Sequence, residues 1–182
     1  SDVVLPLRRT YAWGVPSTEA LRCIAQHSPG GVVEVGAGTG YWAALLAERH
    51  GVEVHAYDVA PTQHAPLNGF HALQWREWVG NATPFFPVEA GGAARAADHP
   101  EATLLLCWPP AESGSGSDAP EVGRMASDAL GHYRGTTVAY VGVCRAALPD
   151  AEAGGASEGG ELRLDTAGPA FEALLTRDFE LV

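Results

Sequence analysis

Residues 32–58 read VVEVGAGTGYWAALLAERHGVEVHAYD, and the rest of the chain is arranged around them. Val32, Val33 and Val35 form a short apolar run, and Gly36, Gly38 and Gly40 follow at once. An amphipathic segment, a second β-rich run and the acid Asp58 close the stretch. This order predicts a strand, a glycine turn, a helix from about Tyr41 to His50 and a second strand, the βαβ unit of a doubly wound sheet. Glycines in such a turn permit positive φ and let the backbone approach a ligand. The helix start offers unpaired N–H groups. The turn is not the dinucleotide fingerprint G-x-G-x-x-G, because Tyr41 stands where the third glycine should be. Nor is it a phosphate loop, which needs a Lys, and the chain has none.

Glu34 lies two residues before the first glycine. An acid there would repel a pyrophosphate and suits a ligand with positive charge, such as an ammonium or sulfonium. Glu34-x-Gly36-x-Gly38-x-Gly40, with Asp58 ending the next strand, resembles the first two motifs of the class I S-adenosylmethionine-dependent methyltransferases. The resemblance covers most of residues 32–144. It implies an α/β fold, a doubly wound and mostly parallel sheet flanked by helices, and S-adenosylmethionine as cofactor with S-adenosylhomocysteine as product. It assigns Asp58 to the ribose hydroxyls, whose protons a carboxylate can accept. Glu34, Gly36, Ala37, Gly38, Gly40, Val59 and Cys107 join it on the cofactor side.

The chain has 182 residues, enough for one α/β domain with an ordinary core and too few for two. It is read as a single cofactor-binding domain, with residues 1–31 forming a leading segment and helix over the cofactor site. At 46% hydrophobic and 18% charged it is globular. No apolar run reaches the ~18 residues that span a bilayer, and no basic leader with an apolar core precedes the domain, so a cytoplasmic protein is expected. The formal charge of −11 disfavours a nucleic-acid partner. Cys23, Cys107 and Cys144 have neither disulfide nor zinc spacing and read as reduced, mostly buried thiols.

Along the chain, Pro16 and Ser17 predict a helix start, with Leu21, Ile24 and Ala25 on its apolar face. Tyr11 and Trp13, just before it, are candidates to close over the cofactor or simply to pack the leading helix. Gly51 is expected to end the helix that starts at Tyr41. From Val59 to Gly80 the pattern weakens, Pro61 and Pro66 exclude a continuous helix, and Asn68-Gly69 predicts a turn. Asn68 and His71 are candidates to reach cofactor or substrate. Phe85–Val88 reads as a short third strand, with Glu89 after it near the expected adenine position, and Ala93–Ala97 as a short helix.

Thr103–Trp108 is apolar enough to be a strand buried on both faces, and it ends Cys107-Trp108-Pro109-Pro110. Amino-group methyltransferases of the family carry Asp or Asn before Pro-Pro at this strand end. Trp108 replaces it here, so Trp108 and Pro109 are assigned to a flat or apolar acceptor rather than an amine, or Trp108 is structural. The loop from Ala111 to Ser117 reads as a lid. A helix capped by Ser117 or Asp118 carries Val122, Met125, Ala126, Ala129, Leu130 and Tyr133. Residues 136–144 form the expected fifth strand, 149–160 a polar loop, and 169–177 a last helix. The family sheet has seven strands; here Phe179–Val182 is a possible sixth, and no residues remain for the last. The exposed sheet edge would allow a homodimer.

Methyl transfer needs mainly alignment and exclusion of water. A general base helps when the acceptor is a hydroxyl or an acidic carbon. His71 is the first choice for that base, ahead of His27 and His132. The expected activity is methyl transfer to a small-molecule acceptor. Against it stand a cofactor-binding domain without activity, serving as a regulatory or assembly partner, and a nucleotide-sugar or nicotinamide enzyme on the same sheet.

Overall fold

The computed structural model describes residues 3–64, 66–111, 123–142 and 166–180. Its strands, in chain order, are β1 (Val32–Val35), β2 (Val54–Asp58), β3 (Ala72–Trp75), β4 (Trp78–Asn81), β5 (Glu89–Ala90), β6 (Thr103–Cys107) and β7 (Val138–Val141). The helices are α1 (Val4–Thr10), α2 (Thr18–Gln26), α3 (Tyr41–His50), α4 (Met125–His132) and α5 (Pro169–Asp178), with a 3-10 helix at Ala93–Asp98.

Five strands form one parallel sheet in the order β5-β2-β1-β6-β7. β1 is buried along its whole length and β6 is buried except at Cys107, as fits central strands covered on both faces. Alternation divides their side chains. Val33, Val35, Leu104 and Leu106 pack towards the 3-10 helix, α4 and α5, while Val32 and Leu105 pack against Leu21, Ile24, Trp42 and Leu46 of α2 and α3. The chain builds outward from β1 through β2 to β5, then crosses back to β6 and β7. The direction reverses between β1 and β6, and the carboxyl ends of the strands there are where open α/β sheets bind ligands.

Local chemistry explains the helix limits. The Ser17 hydroxyl accepts from the Ala20 N–H at 3.1 Å and starts α2. Gly51 ends α3 in the left-handed conformation (φ 66°) and returns its N–H to the Ala47 carbonyl at 3.0 Å. Pro169, whose missing N–H would be unpaired there in any case, is the first residue of α5.

Four expectations are corrected. The third parallel strand is not Phe85–Val88 but Glu89–Ala90, which pairs with Tyr57 and Asp58; Pro84 and Pro87 remove ladder donors, so pairing begins only beyond them. The weakly patterned connection contains an antiparallel hairpin, β3 to β4. A helix, α1, precedes the one begun by Ser17. Cys23 is exposed, because it lies on α2 across from the buried Leu21 and Ile24.

Phe179 and Glu180 are not in a strand, and residues 181 and 182 lie outside the described residues. So do most of the expected lid (112–117), the cap at Ser117 or Asp118, Val122, Cys144 and the loop at 149–160. Among the described residues, no helix is long and apolar enough to cross a membrane.

Candidate functional site

The glycine turn leaves β1 at the switch point. Gly36 and Gly38 have φ of 78° and 56°, a region closed to most side chains. A Cβ on Gly36 would lie 2.7 Å from the Met125 sulfur, and one on Gly38 would lie 2.3 Å from His71 Nε2. The turn is thus a cradle with two side-chain tips resting in it. Its own N–H groups face inward. Those of Gly36 and Ala37 donate to the Tyr57 carbonyl at 2.8 and 3.0 Å, and that of Gly38 donates to Asp58 Oδ2 at 2.8 Å.

Asp58, at the carboxyl end of β2, ties this turn to what covers it. Its Oδ1 accepts from the Ala60 N–H at 2.8 Å and from Asn68 Nδ2 at 3.3 Å. The other Asn68 amide proton goes to the Ala60 carbonyl (2.8 Å), and its Oδ1 accepts from the Phe70 N–H (3.0 Å). Both amide protons of Asn68 are therefore used inside the protein. Its carbonyl accepts from the His71 N–H at 3.1 Å, closing a turn over 68–71 at the expected Asn-Gly and delivering His71 onto Gly38.

His71 is buried, and this pushes its pKa below the usual histidine value, against smaller upward pulls from Arg9 and Asp58. Nδ1 lies 2.8 Å from the Arg9 carbonyl. A carbonyl can only accept, so Nδ1 carries the proton and the Nε2 lone pair faces the cradle. That is the tautomer a general base at this place requires.

A strap made of α1 and residues 11–14 lies across the site. The Arg9, Tyr11 and Gly14 carbonyls accept from His71, from the Thr39 hydroxyl and from the Trp42 indole N–H, the last at 2.9 Å. The Trp13 indole donates to the Phe70 carbonyl at 3.3 Å. Tyr11 stacks on Phe85, with ring centres 5.3 Å apart, and both meet the edge or face of Tyr41. Tyr11 and Trp13 thus pack the leading segment onto the domain, beside the glycine turn and the 68–71 turn.

Beneath the turn, Glu34 is buried against the start of α3. Burial raises its pKa to about 8, more than the Ala43 N–H lowers it, and the Asp58 charge adds to the rise. The side chain is thus mostly uncharged at pH 7, which removes the fixed negative charge expected of it. Its Oε2 has no hydrogen-bond partner. Cys107, at the end of the neighbouring strand, has its thiol pKa pushed far up by burial and then by the Glu34 charge. It is an inert thiol at neutral pH.

Trp108 has φ 50°, a conformation costing about 1–3 kcal/mol for a residue with a side chain. It is held there by its N–H to the Val141 carbonyl (2.6 Å), with its ring near Gly14. Pro109 is buried, and its carbonyl accepts from the Ala167 N–H at 3.1 Å. Val59, beside Asp58, is 70% exposed.

Glu34, Gly36, Ala37, Gly38, Gly40, Asp58, Asn68, His71 and the strap therefore converge at one end of the sheet, with Cys107 and Trp108 ending the adjacent strand. His27 and His132 stand apart, exposed just after α2 and at the end of α4. Sequence reasoning missed Thr39, Met125 and Arg9 as parts of the site. Thr39 has a signal, since it lies inside the glycine turn; the spacing around Met125 points only to helix packing. Comparison with known proteins found no matching family model, no similar curated protein and no similar solved structure.

Proposed function

We propose that this chain is a class I methyltransferase-like domain that binds S-adenosylmethionine and transfers its methyl group to a small-molecule acceptor. The observation that carries the reading is the Asp58–Gly38 hydrogen bond (2.8 Å), which joins the acid ending β2 to the glycine turn at the switch point. The inward N–H groups of Gly36 and Ala37 count against a pyrophosphate, which would need them as donors.

The residues present fit this cofactor. Gly36 and Gly38 form a cradle in which a Cβ would meet the Met125 and His71 tips, Glu34 Oε2 is an orphaned polar atom beside it, and Asp58 Oδ2, which accepts one hydrogen bond, retains a lone pair for a hydroxyl. The flexible Met125 tip would swing aside on its rotatable bonds, while His71 stays held by the Arg9 carbonyl at the edge of the cradle. Bound S-adenosylmethionine supplies a methyl group already activated by its sulfonium. The chain's part is to hold and orient. Asp58 and the turn position the donor, and Trp108 presents an aromatic face to the acceptor. The strap and the Tyr11–Phe85 stack exclude water, and His71 Nε2 takes the acceptor's proton where the acceptor is a hydroxyl.

A second reading, a regulatory or assembly domain without activity, is favoured by one observation: the protein's own His71 and Met125 already occupy the cradle. Calorimetry with S-adenosylmethionine and with a nicotinamide dinucleotide tests the donor. Binding of the first alone is expected, weakened roughly tenfold or more in Asp58→Ala. Absence of binding, or equal binding by that variant, overturns the proposal. Transfer of labelled methyl to a component of a small-molecule extract then separates enzyme from binder.

A further inference from the structure

We infer that Arg9 is an anion subsite that grips a carboxylate on a ligand held in this site. The inference rests on the proposed reading of the site as a ligand cleft, but on a different residue and a different bond.

Arg9 lies in the last turn of α1, half-buried beside His71, whose ring its own carbonyl holds at 2.8 Å. Its guanidinium makes one hydrogen bond, from Nη1 to the Ala72 carbonyl at 3.2 Å. Nε is buried and has no partner. Buried polar groups are almost always satisfied, and an exception calls for an explanation such as an absent ligand. The unsatisfied group here belongs to a permanent cation, for which the penalty is greatest.

The missing partner is not for want of acids. The chain has 22 acidic residues against 11 arginines, and Arg95, Arg124 and Arg177 each have an acid within ion-pair distance. Arg9 has none among the described residues, nor do Arg8, Arg22, Arg49, Arg76 and Arg134; what sets Arg9 apart is a buried Nε without a partner. Neighbouring Arg8 differs again, with its guanidinium 5.9 Å from the centre of the Trp13 ring.

The geometry of the fork names the ligand chemistry. In a guanidinium, Nε–H and Nη2–H lie on one edge and point the same way, matching the two oxygens of a carboxylate. In Arg9 the bonded atom is Nη1, so this bidentate edge is the unused one. Asp58 and the chain's overall charge repel an anion, so a carboxylate bound here needs a cation of its own. Two sources share this chemistry: the amino-acid end of the methyl donor, and a carboxylate on the acceptor.

The test follows the Arg9 Nε–Hε resonance in nitrogen-15 spectra of the whole chain, assigned by its loss in Arg9→Gln. Titration with benzoate is expected to shift this signal saturably, whereas neutral benzamide leaves it unmoved. Arg9→Lys keeps the charge without the fork and is expected to bind benzoate or S-adenosylmethionine roughly tenfold more weakly. If S-adenosylmethionine weakens in Arg9→Gln while its decarboxylated analogue does not, the carboxylate is the donor's. If benzoate binding is lost and donor affinity is unchanged, it is the acceptor's. A signal unmoved by both benzoate and S-adenosylmethionine, with donor affinity unchanged in both variants, overturns the subsite and leaves the methyltransferase reading standing. A benzoate shift without any donor binding does the reverse.

Discussion

The floor and the roof of the candidate site are held by different forces. The floor is β1, β6 and the glycine turn, with Val32, Val33, Leu104, Leu105 and Leu106 wholly buried. The roof is the strap and the β3–β4 hairpin. α1 buries none of its residues, Leu5 and Leu7 are 44% and 51% exposed, and Trp78 is 53% exposed. What fastens the strap is mainly hydrogen bonding. Thr39 of the glycine turn, Trp42 of α3 and His71 donate to its carbonyls, Trp13 and Arg9 donate from it to the Phe70 and Ala72 carbonyls, and the Tyr11, Phe85 and Tyr41 rings meet beside them. Apolar burial makes a unit that opens only when the domain unfolds. A few hydrogen bonds, each worth about 0.5–1.5 kcal/mol net, make one that can open alone.

The sharpest test of this contrast pairs Leu105→Ala with Trp78→Ala. Leu105 lies between β1 and the α2–α3 layer, and truncating it removes apolar contacts and leaves a cavity. It should cost about 2–5 kcal/mol in chemical denaturation. The larger Trp78 side chain should matter less, within about 0.5 kcal/mol, because much of it already meets water. Equal losses would mean that floor and roof unfold as one.

Next in size is the pH response of the floor. Glu34 has a folded pKa of about 8 against an ordinary value of 4.5, so the native state keeps a proton that the unfolded chain releases. Stability contributed by the neutral carboxyl is full below pH 4.5 and falls as pH rises towards 8, by up to roughly 4 kcal/mol. Glu34→Gln, which cannot ionise, should flatten this slope and be the more stable protein at pH 8. A wild-type stability that rises across the same range, with no difference from the variant, would show that Glu34 is charged in the fold.

The same contrast explains what the sequence made legible. Continuous valine and leucine runs, alternate glycines and helix-ending Gly51 each have one physical solution, and β1, α3, β2 and β6 stand close to where those patterns put them. The roof has no such signal. The β3–β4 turn uses Arg76-Glu77, with Arg76 at φ 54°, where a hairpin normally advertises itself with Asn or Gly. α1 has apolar residues but no buried face to set its period. Asn68-Gly69 did announce its turn, and through it the approach of His71. The charge state of Glu34 was not legible, because it depends on burial that only the folded sheet creates.

A smaller effect should follow from loosening one strap contact. The buried Thr39 hydroxyl donates to the Tyr11 carbonyl, and Thr39→Val removes it while preserving shape. The loss should be about 1 kcal/mol. It should appear as faster hydrogen exchange in residues 4–14, with exchange in β1 and β6 unchanged. Protection lost equally in both places would erase the boundary between roof and floor.

The finest test is the response of the roof to acid, and its sign is opposite to that of Glu34. In the closed state His71 is buried, which depresses its pKa, and its Nδ1–H donates to the Arg9 carbonyl. With the strap lifted, the ring meets water and titrates near its ordinary value of 6.5. The open state therefore binds more protons than the closed one wherever the pH lies between the two values. Closure is strongest above pH 6.5 and weakens as pH falls through it towards the depressed value. Asp58, whose charge pulls the pKa upward, softens the response without reversing it, because burial is the larger influence. Exchange of strap amides, corrected for the intrinsic effect of pH, should thus accelerate between pH 7.5 and 5.5. In His71→Asn the side-chain amide can still donate to the Arg9 carbonyl but cannot titrate, so strap exchange should lose this dependence. If wild type and His71→Asn respond alike, another group fastens the strap. If wild type closes more tightly in acid, His71 is charged in the fold, and its Nε2 is a donor facing Gly38 rather than the lone pair that a base needs.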